Sequence, residues 1–222
     1  GAANIIGGNV NAGILLDAVT NTRILGNFIG VAIDGASPLA NSDGVSIHNS
    51  ANNTIGGTDP GEGNVISLNT NDGVVIGSNS DSGPSNGNVL LGNLIGTDAT
   101  GMNSAGQGRY GVEATNSWAV IGGTVAGAGN VISANIYGQI YLSGHPSGGS
   151  SALGNILGLA SDGLTRLSGT GYGILLNQPG ATIGGTVAGA RNVISGSNGY
   201  GMSVGADNEL IVGNYIGTDI LG

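Results

Sequence analysis

The amino-acid sequence predicts an all-β solenoid in which short strands stack into three parallel sheets. Three observations predict it. The chain repeats itself, its repeated segments alternate apolar and variable residues, and its 222 residues include 47 glycines and 26 asparagines. Alternation with a period of two is typical of strands, and no window has the longer period of an amphipathic helix. Glycine and asparagine bound the segments, as expected at tight turns.

The repeat contains two short motifs. Gly/Arg-Asn-x-Ile/Leu-Gly/Ser occurs seven times, beginning at residues 26, 63, 92, 129, 154, 191 and 213. Gly-apolar-x-apolar lies between these copies, as in 13–16, 44–47 and 73–76, and its copy near Gly138 is shifted by one residue. The spacing between successive motif asparagines is 37 residues three times and 22 to 29 residues otherwise, so a larger unit contains two coils. With three strands per coil, we predict seven to eight coils.

Two ladders of similar side chains, one aliphatic and one of asparagines, should stabilise the stack. The aliphatic residue of the first motif should point inward and form the core, from Ile29 through Ile66, Ile95, Ile132, Leu157 and Ile194 to Ile216. One coil cannot bury enough apolar surface alone, so stability must come from stacking. The motif asparagines should bond coil to coil through their amides. They are Asn27, Asn64, Asn93, Asn130, Asn155, Asn192 and Asn214.

Coil length varies too much for a strict hexapeptide left-handed solenoid, so right-handed winding is favoured. On these motifs the whole chain, 1–222, resembles the right-handed parallel β-helix proteins of the pectate-lyase-like superfamily. It is more closely similar to the IGGT and NVIS repeats of large bacterial secreted or surface proteins, here near 55–58 and 64–67. The resemblance implies a single β-helix domain. It implies no one function, because this scaffold carries lyases, hydrolases, epimerases and adhesins.

The composition excludes several classes of function. The chain has four arginines, no lysine and a formal net charge of −9, which opposes binding to nucleic acid or to an anionic membrane surface. No apolar run approaches the roughly 20 residues of a membrane span, so we expect no membrane insertion. Cysteine is absent, which excludes disulfides, thiolate metal sites and a cysteine nucleophile.

The resemblance directs attention to lyase chemistry, in which an arginine base acts beside acid-bound calcium. The candidates are Arg109 and Arg166, with Asp34, Asp98 and Asp162 in the long loops 31–43, 97–110 and 159–172. These loops lie on alternate coils, roughly 10 Å apart along the axis, too far to share one calcium ion. We therefore expect turn residues here and no metal site. Calcium is the one cofactor left open.

Hydrolases and epimerases of this superfamily imply other constellations. Hydrolases need paired carboxylates, and Asp43 and Asp72 precede the glycine of the second motif on adjacent coils, where they could approach one another. Epimerases combine aspartate, histidine, tyrosine and arginine in one groove. His48 and His145 have no acidic partner nearby in sequence, and we expect both at the surface. We predict no catalytic residue.

Tyrosines form the most informative surface pattern. The residue before the second-motif glycine is aspartate at Asp43 and Asp72 and tyrosine in the later coils, at Tyr110, Tyr137, Tyr172 and Tyr200. One interpretation is an aromatic ladder that braces the turn, flanked by Tyr141. The other is a carbohydrate-binding platform made of these tyrosines with the two aspartates, since aromatic faces pack against sugar rings.

The sequence favours a structural role over an enzymatic one. The chain opens and closes within a repeat, so we expect end-to-end self-association, or contact with flanking repeats of a longer chain. The predicted function is an extracellular or cell-surface module that serves as shaft, fibre or adhesin surface. The alternative is a polysaccharide-binding protein or a polysaccharide-degrading enzyme. The variable segment 77–87 or the tyrosines should border any site.

Overall fold

The structure is a computed structural model, and it describes residues 3–77, 85–144, 148–167, 169 and 171–222. The strands of these residues are β1 (Ile5–Ile6), β2 (Ile14–Asp17), β3 (Arg23–Ile24), β4 (Phe28–Ile29), β5 (Val45–His48), β6 (Thr54–Gly56), β7 (Val65–Ile66), β8 (Val74–Ile76), β9 (Asn88–Leu91), β10 (Leu94–Ile95), β11 (Tyr110–Thr115), β12 (Ala119–Gly122), β13 (Val131–Ile132), β14 (Gly138–Ser143), β15 (Ser151–Leu153), β16 (Ile156–Leu157), β17 (Tyr172–Asn177), β18 (Thr182–Gly184), β19 (Val193–Ile194), β20 (Met202–Val204), β21 (Leu210–Val212) and β22 (Tyr215–Ile216). Within the described ranges the only helix is the 3₁₀ turn Ala188–Ala190, and no helix there could cross a membrane.

The strands form three parallel sheets, because every third strand pairs with its equivalent in the next coil. Sheet 1 contains β1, β4, β7, β10, β13, β16, β19 and β22; sheet 2 contains β2, β5, β8, β11, β14, β17 and β20; sheet 3 contains β3, β6, β9, β12, β15, β18 and β21. The right-handed parallel β-helix predicted from the sequence is confirmed. The outermost strands of the seven-stranded sheets are six turns apart, so the solenoid is slightly shorter than the seven to eight coils expected.

The core is a column of aliphatic side chains between the three sheets. Ile29, Ile66, Ile95 and Ile132 are fully buried, as the motif predicted, and the other two sheets contribute equivalent inward positions. The prediction is wrong for Ile216, which is 47% exposed because it lies on β22, the outermost strand of sheet 1 in the structure. Burial of the ladder thus depends on a neighbouring coil on each side.

The predicted asparagine ladder is confirmed along the whole solenoid. In a typical rung, the Asn93 Nδ2 donates to Oδ1 of Asn130 at 2.9 Å and to the Ile55 carbonyl at 2.9 Å, while its Oδ1 accepts from Nδ2 of Asn64 at 2.9 Å. Asn4 extends the ladder by one rung, since its Nδ2 donates to Oδ1 of Asn27 at 2.7 Å. The amides therefore satisfy backbone groups that are buried at the turn into sheet 1.

A second ladder of buried amides was not predicted from the sequence. Asn41, Asn69, Gln107 and Asn135 follow one another along the axis, before the strands of sheet 2. Asn41 Nδ2 donates to Asn69 Oδ1 at 3.0 Å, and Asn69 Nδ2 donates to Oε1 of Gln107 at 3.1 Å. The sequence pattern hid this ladder because one rung is glutamine and its members lie outside both repeated motifs. The first ladder thus fixes the turn into sheet 1, and the second fixes the turn from sheet 1 into sheet 2.

Candidate functional site

The outer face of sheet 2 brings three acidic residues and one arginine together in one cluster. Register places one outward side chain per coil in a column: Leu15, Ser46, Val75, Glu113, Tyr141, Leu175 and Ser203. Asp43 and Asp72 lie just before strands β5 and β8, at the edge of this column. Arg109 lies just before β11, one coil further on, so it can reach the acids from the side.

Asp72 is the centre of the polar cluster. Its side chain is 1% exposed, although it lies on the outer face. Its Oδ1 accepts from the Tyr110 amide at 2.7 Å, and its Oδ2 accepts from Nη1 of Arg109 at 2.8 Å. The Asp72 amide donates to Oδ1 of Asp43 at 3.3 Å, so the two aspartates lie on adjacent coils in contact. The expected approach of these two residues is thus observed.

Glu113 completes the cluster from the next strand. Its Oε2 lies 3.3 Å from Nη2 of Arg109, and its Oε1 accepts from the Thr115 hydroxyl at 3.2 Å. The residue is 6% exposed, and Oε2 receives no well-directed hydrogen bond. One guanidinium therefore bridges two buried carboxylates, and one oxygen of Glu113 retains an unused acceptor position.

The protonation of Asp72 is set by its burial. Desolvation of the carboxylate raises the pKa of Asp72 to about 6, against the opposing effects of the Tyr110 amide and the Arg109 guanidinium. The carboxylates of Glu113 and Asp43 raise it further. The Asp72 carboxyl therefore titrates near pH 6, well above an ordinary surface aspartate.

These residues line a groove open to solvent, named here the acidic groove. Its volume is about 200 Å³, and its lining includes Asp43, His48, Asp72, Arg109 and Glu113. An adjoining hollow of about 300 Å³ shares Asp43 and His48 and extends the groove toward the first coil. His48 lies at the end of β5, at the surface as expected, and the groove supplies the acidic neighbours that its local sequence lacked. His145 and most of the segment 77–87 lie outside the described residues.

The tyrosines lie along sheet 2 from β11, the last strand of the acidic groove, through the later coils, but not as one column. Tyr110 stacks on Tyr141 with ring centroids 4.9 Å apart and meets Tyr137 edge-on at 6.0 Å. Tyr172 stacks separately on Tyr200 at 5.9 Å. The expected single column is interrupted because Gly138, and not the residue before it, lies opposite both Tyr110 and Tyr172. Tyr137 and Tyr200 are 54% and 67% exposed, so they offer ring faces to a ligand.

The carboxylates of the long loops accept hydrogen bonds from residues of their own turns. Hydrogen bonds from the Ser37 hydroxyl and amide lower the pKa of Asp34 to about 2. Burial would raise the pKa of Asp98, but hydrogen bonds led by that from Asn103 outweigh it and lower the pKa. Hydrogen bonds from its own turn lower the pKa of Asp162 in the same way. Among the described residues no group of three or more histidine, aspartate and glutamate side chains is arranged to hold a metal ion.

The three loops are nearer to one another than their spacing along the chain predicted. The Ala99 amide donates to the Gly35 carbonyl at 2.9 Å, and the Ser161 amide donates to the Gly101 carbonyl at 2.9 Å. The expectation of loops held about two coil spacings apart is wrong, because each loop bends along the axis across the intervening coil. Their carboxylates nevertheless remain in separate turns.

Sequence reasoning missed two members of the acidic groove. Arg109 was considered only as a lyase base beside calcium, and Glu113 was not considered at all. The signal for Glu113 lies in the second motif. Its variable position is charged in this copy alone, where residues 111–114 read Gly-Val-Glu-Ala. Arg109 stands four residues earlier, with the opposite charge.

Comparison with known proteins shows a likeness of fold. No protein-family model matches the chain, and no curated protein is significantly similar to it in sequence. A double mutant of the periplasmic alginate epimerase AlgG superposes on 97% of this chain with a TM-score of 0.50 and 16% identity. A single mutant of the same enzyme covers 95% with a TM-score of 0.49 and 15% identity.

The likeness supports the parallel β-helix and nothing finer. This chain spans 38% of the length of the epimerase chain, well under half. The resemblance to the IGGT and NVIS repeats of bacterial surface proteins stays a prediction. The functional argument therefore rests on the acidic groove itself.

Proposed function

We propose that the outer face of sheet 2 binds a polysaccharide along the solenoid axis. The observation that carries the proposal is the juxtaposition of the acidic groove with exposed tyrosine rings. Asp72 and Glu113 are buried charges on an outer face, where folding gains little from them and desolvation costs several kcal/mol per ion. Such clusters beside a groove are typical of binding and catalytic sites.

The layout fits an extended sugar chain. The groove and the ring pair Tyr110–Tyr141 come from successive strands of sheet 2, spaced about 4.8 Å apart along the axis. Each coil therefore meets a similar length of an axial ligand. Carboxylates and the guanidinium can bond sugar hydroxyls, and the exposed face of Tyr137 can pack against a ring.

Affinity electrophoresis through gels that contain neutral, amino-bearing or uronate polysaccharides tests this proposal. We expect at least one polymer to retard the chain, and the Tyr137→Ala, Tyr172→Ala double variant to migrate freely. Tyr215→Ala is the matched control, since Tyr215 lies in sheet 1, away from the groove. Equal retardation of the double variant, or no retardation by any polymer, would remove the proposal. A reducing-end assay on the retained polymer would show in addition whether the groove cleaves its ligand.

A second role, as a shaft or adhesin surface, is favoured by the uniform stacking of the coils in three parallel sheets. In the last coil Ile211 and Ile216 are 41% and 47% exposed, whereas the equivalent Ile183 and Ile194 one coil earlier are fully buried. A further coil stacked on β20, β21 and β22 would bury these side chains and pair the strand edges. Both roles suit a protein at the cell surface or in the extracellular space.

Light scattering and negative-stain electron microscopy of the purified chain, with and without calcium, test the second role. End-to-end stacks that disappear in Ile211→Asp would support it. A monomer under all conditions would contradict self-association. Calcium-dependent stacking would assign calcium a part in the contact.

A further inference from the structure

We propose that the acidic groove selects a polysaccharide with free amino groups, such as a glucosamine polymer, over a uronate polymer. This inference rests on the proposed function and adds the chemical class of the ligand. It is argued from the negative charge of the groove, from the ion pairs that already engage Arg109, and from an unused acceptor on Glu113.

The groove has an excess of negative charge. Asp43, Asp72 and Glu113 oppose the single guanidinium of Arg109, which leaves a formal charge of −2 when the carboxyls are ionised and His48 is neutral. The whole chain, at −9, carries the same sign and adds to the local potential. A uronate would bring a further carboxylate into this field, and like charges in a partly desolvated groove repel one another.

The charge of Arg109 is already shared between two carboxylates, which weakens its attraction for a uronate carboxylate. Its Nη1 donates to Asp72 at 2.8 Å, and its Nη2 lies 3.3 Å from Glu113, so both terminal nitrogens already face carboxylates. The chain has no lysine. The remaining arginines are held elsewhere: Arg23 by Glu62, Arg166 by the Gly196 carbonyl and Arg191 by the Gly213 carbonyl. None of these three arginines therefore reaches the groove, and His48 is the one other side chain of its lining that can carry a positive charge.

Glu113 supplies the acceptor that an ammonium group needs. Glu113 lines the groove, and its Oε2 is buried and receives no well-directed hydrogen bond. An ammonium donor would form a charge-assisted hydrogen bond there, the stronger class of such bonds. Asp43 offers a second carboxylate nearby, whose Oδ2 accepts from the Ser46 hydroxyl at 3.2 Å and whose Oδ1 accepts from the Asp72 amide at 3.3 Å.

The tyrosines favour the same ligand. Tyr110 already lies near a cation, since the Arg109 guanidinium carbon is 5.5 Å from its ring centroid. Aromatic faces attract ammonium groups by their negative quadrupole and also pack against the apolar face of a sugar ring. Tyr137, exposed beside Tyr110, can therefore serve an amino sugar in both ways.

Isothermal titration calorimetry with three oligosaccharides of equal length tests the inference: a glucosamine oligomer, its N-acetylated form and a galacturonate oligomer. A charge-assisted hydrogen bond predicts that the glucosamine oligomer binds about tenfold more tightly than the N-acetylated form. The galacturonate oligomer should bind most weakly. Because the selectivity is electrostatic, it should shrink as salt is raised.

Asp43→Asn and Glu113→Gln should each reduce glucosamine binding about tenfold and leave N-acetylated binding unchanged. Asp59→Asn is the control, since it removes the same charge from an exposed turn after β6. Circular dichroism of each variant confirms that it has folded. Equal affinity for the first two oligomers, or a preference for the uronate, would overturn the inference and leave polysaccharide binding standing. Failure of all three to bind would overturn both.

Discussion

Replacing Asp72 by asparagine should remove the loss of stability that ionisation of this carboxyl causes between roughly pH 4 and pH 7. Burial raises the pKa of Asp72 from 3.8 to about 6. The folded state therefore prefers the protonated carboxyl. The stabilisation is fully present below pH 3.8 and is lost as pH rises through about 6. Asparagine does not titrate and retains an acceptor for the Tyr110 amide.

The size of the effect follows from the shift. Each unit of pKa difference between folded and unfolded states corresponds to about 1.4 kcal/mol, so this shift corresponds to about 3 kcal/mol. The side chain is 1% exposed, so solvent screening reduces it little. The free energy of unfolding of wild type relative to Asp72→Asn should fall by that amount across the interval.

Urea unfolding followed by circular dichroism at steps of pH measures this difference directly. The lowered pKa values of Asp34 and Asp162 make both proteins less stable as the pH falls further. This contribution is the same in wild type and in Asp72→Asn, so it cancels in the difference between their free energies of unfolding. Asp59→Asn should keep the wild-type pH profile. The reasoning is refuted if wild type and Asp72→Asn show parallel profiles, since Asp72 would then titrate as an ordinary surface aspartate.

Two further predictions concern the solenoid. Asn130→Ala should lower the free energy of unfolding by about 4 kcal/mol, since the side chain makes four buried hydrogen bonds. Asn214→Ala, in the half-buried terminal rung, should lower it by about half as much. Equal losses for the two variants in urea unfolding would contradict a role for burial. Gly96→Ala should cost about 3 kcal/mol or more, because its left-handed φ of 80° is combined with overlap of the new Cβ and the Ser133 carbonyl oxygen. Gly217→Ala, with φ of 83° and open space, should cost about 1 kcal/mol, and equal melting temperatures for the two variants would refute the steric argument.

The sequence alone determined the architecture, because a solenoid is built from local repeats. Alternation within each motif places Ile66 and Ile95 inward, and equivalence between coils stacks Asn64 on Asn93. These contacts join like residues at like positions, so they follow from the period. Ile216 occupies the same motif position but is exposed, because its burial requires a neighbouring coil on both sides.

The tertiary structure decided the acidic groove. Asp72, Arg109 and Glu113 occupy different motif positions and meet only through the register of β8 with β11 and the path of the preceding turn. The tyrosines depend on register in the same way, since a one-residue shift before β14 moves Tyr137 out of line with Tyr110. Contacts between unlike positions depend on the length of each turn, which a repeat period does not specify. The raised pKa of Asp72 depends on its burial, which the period does not specify either.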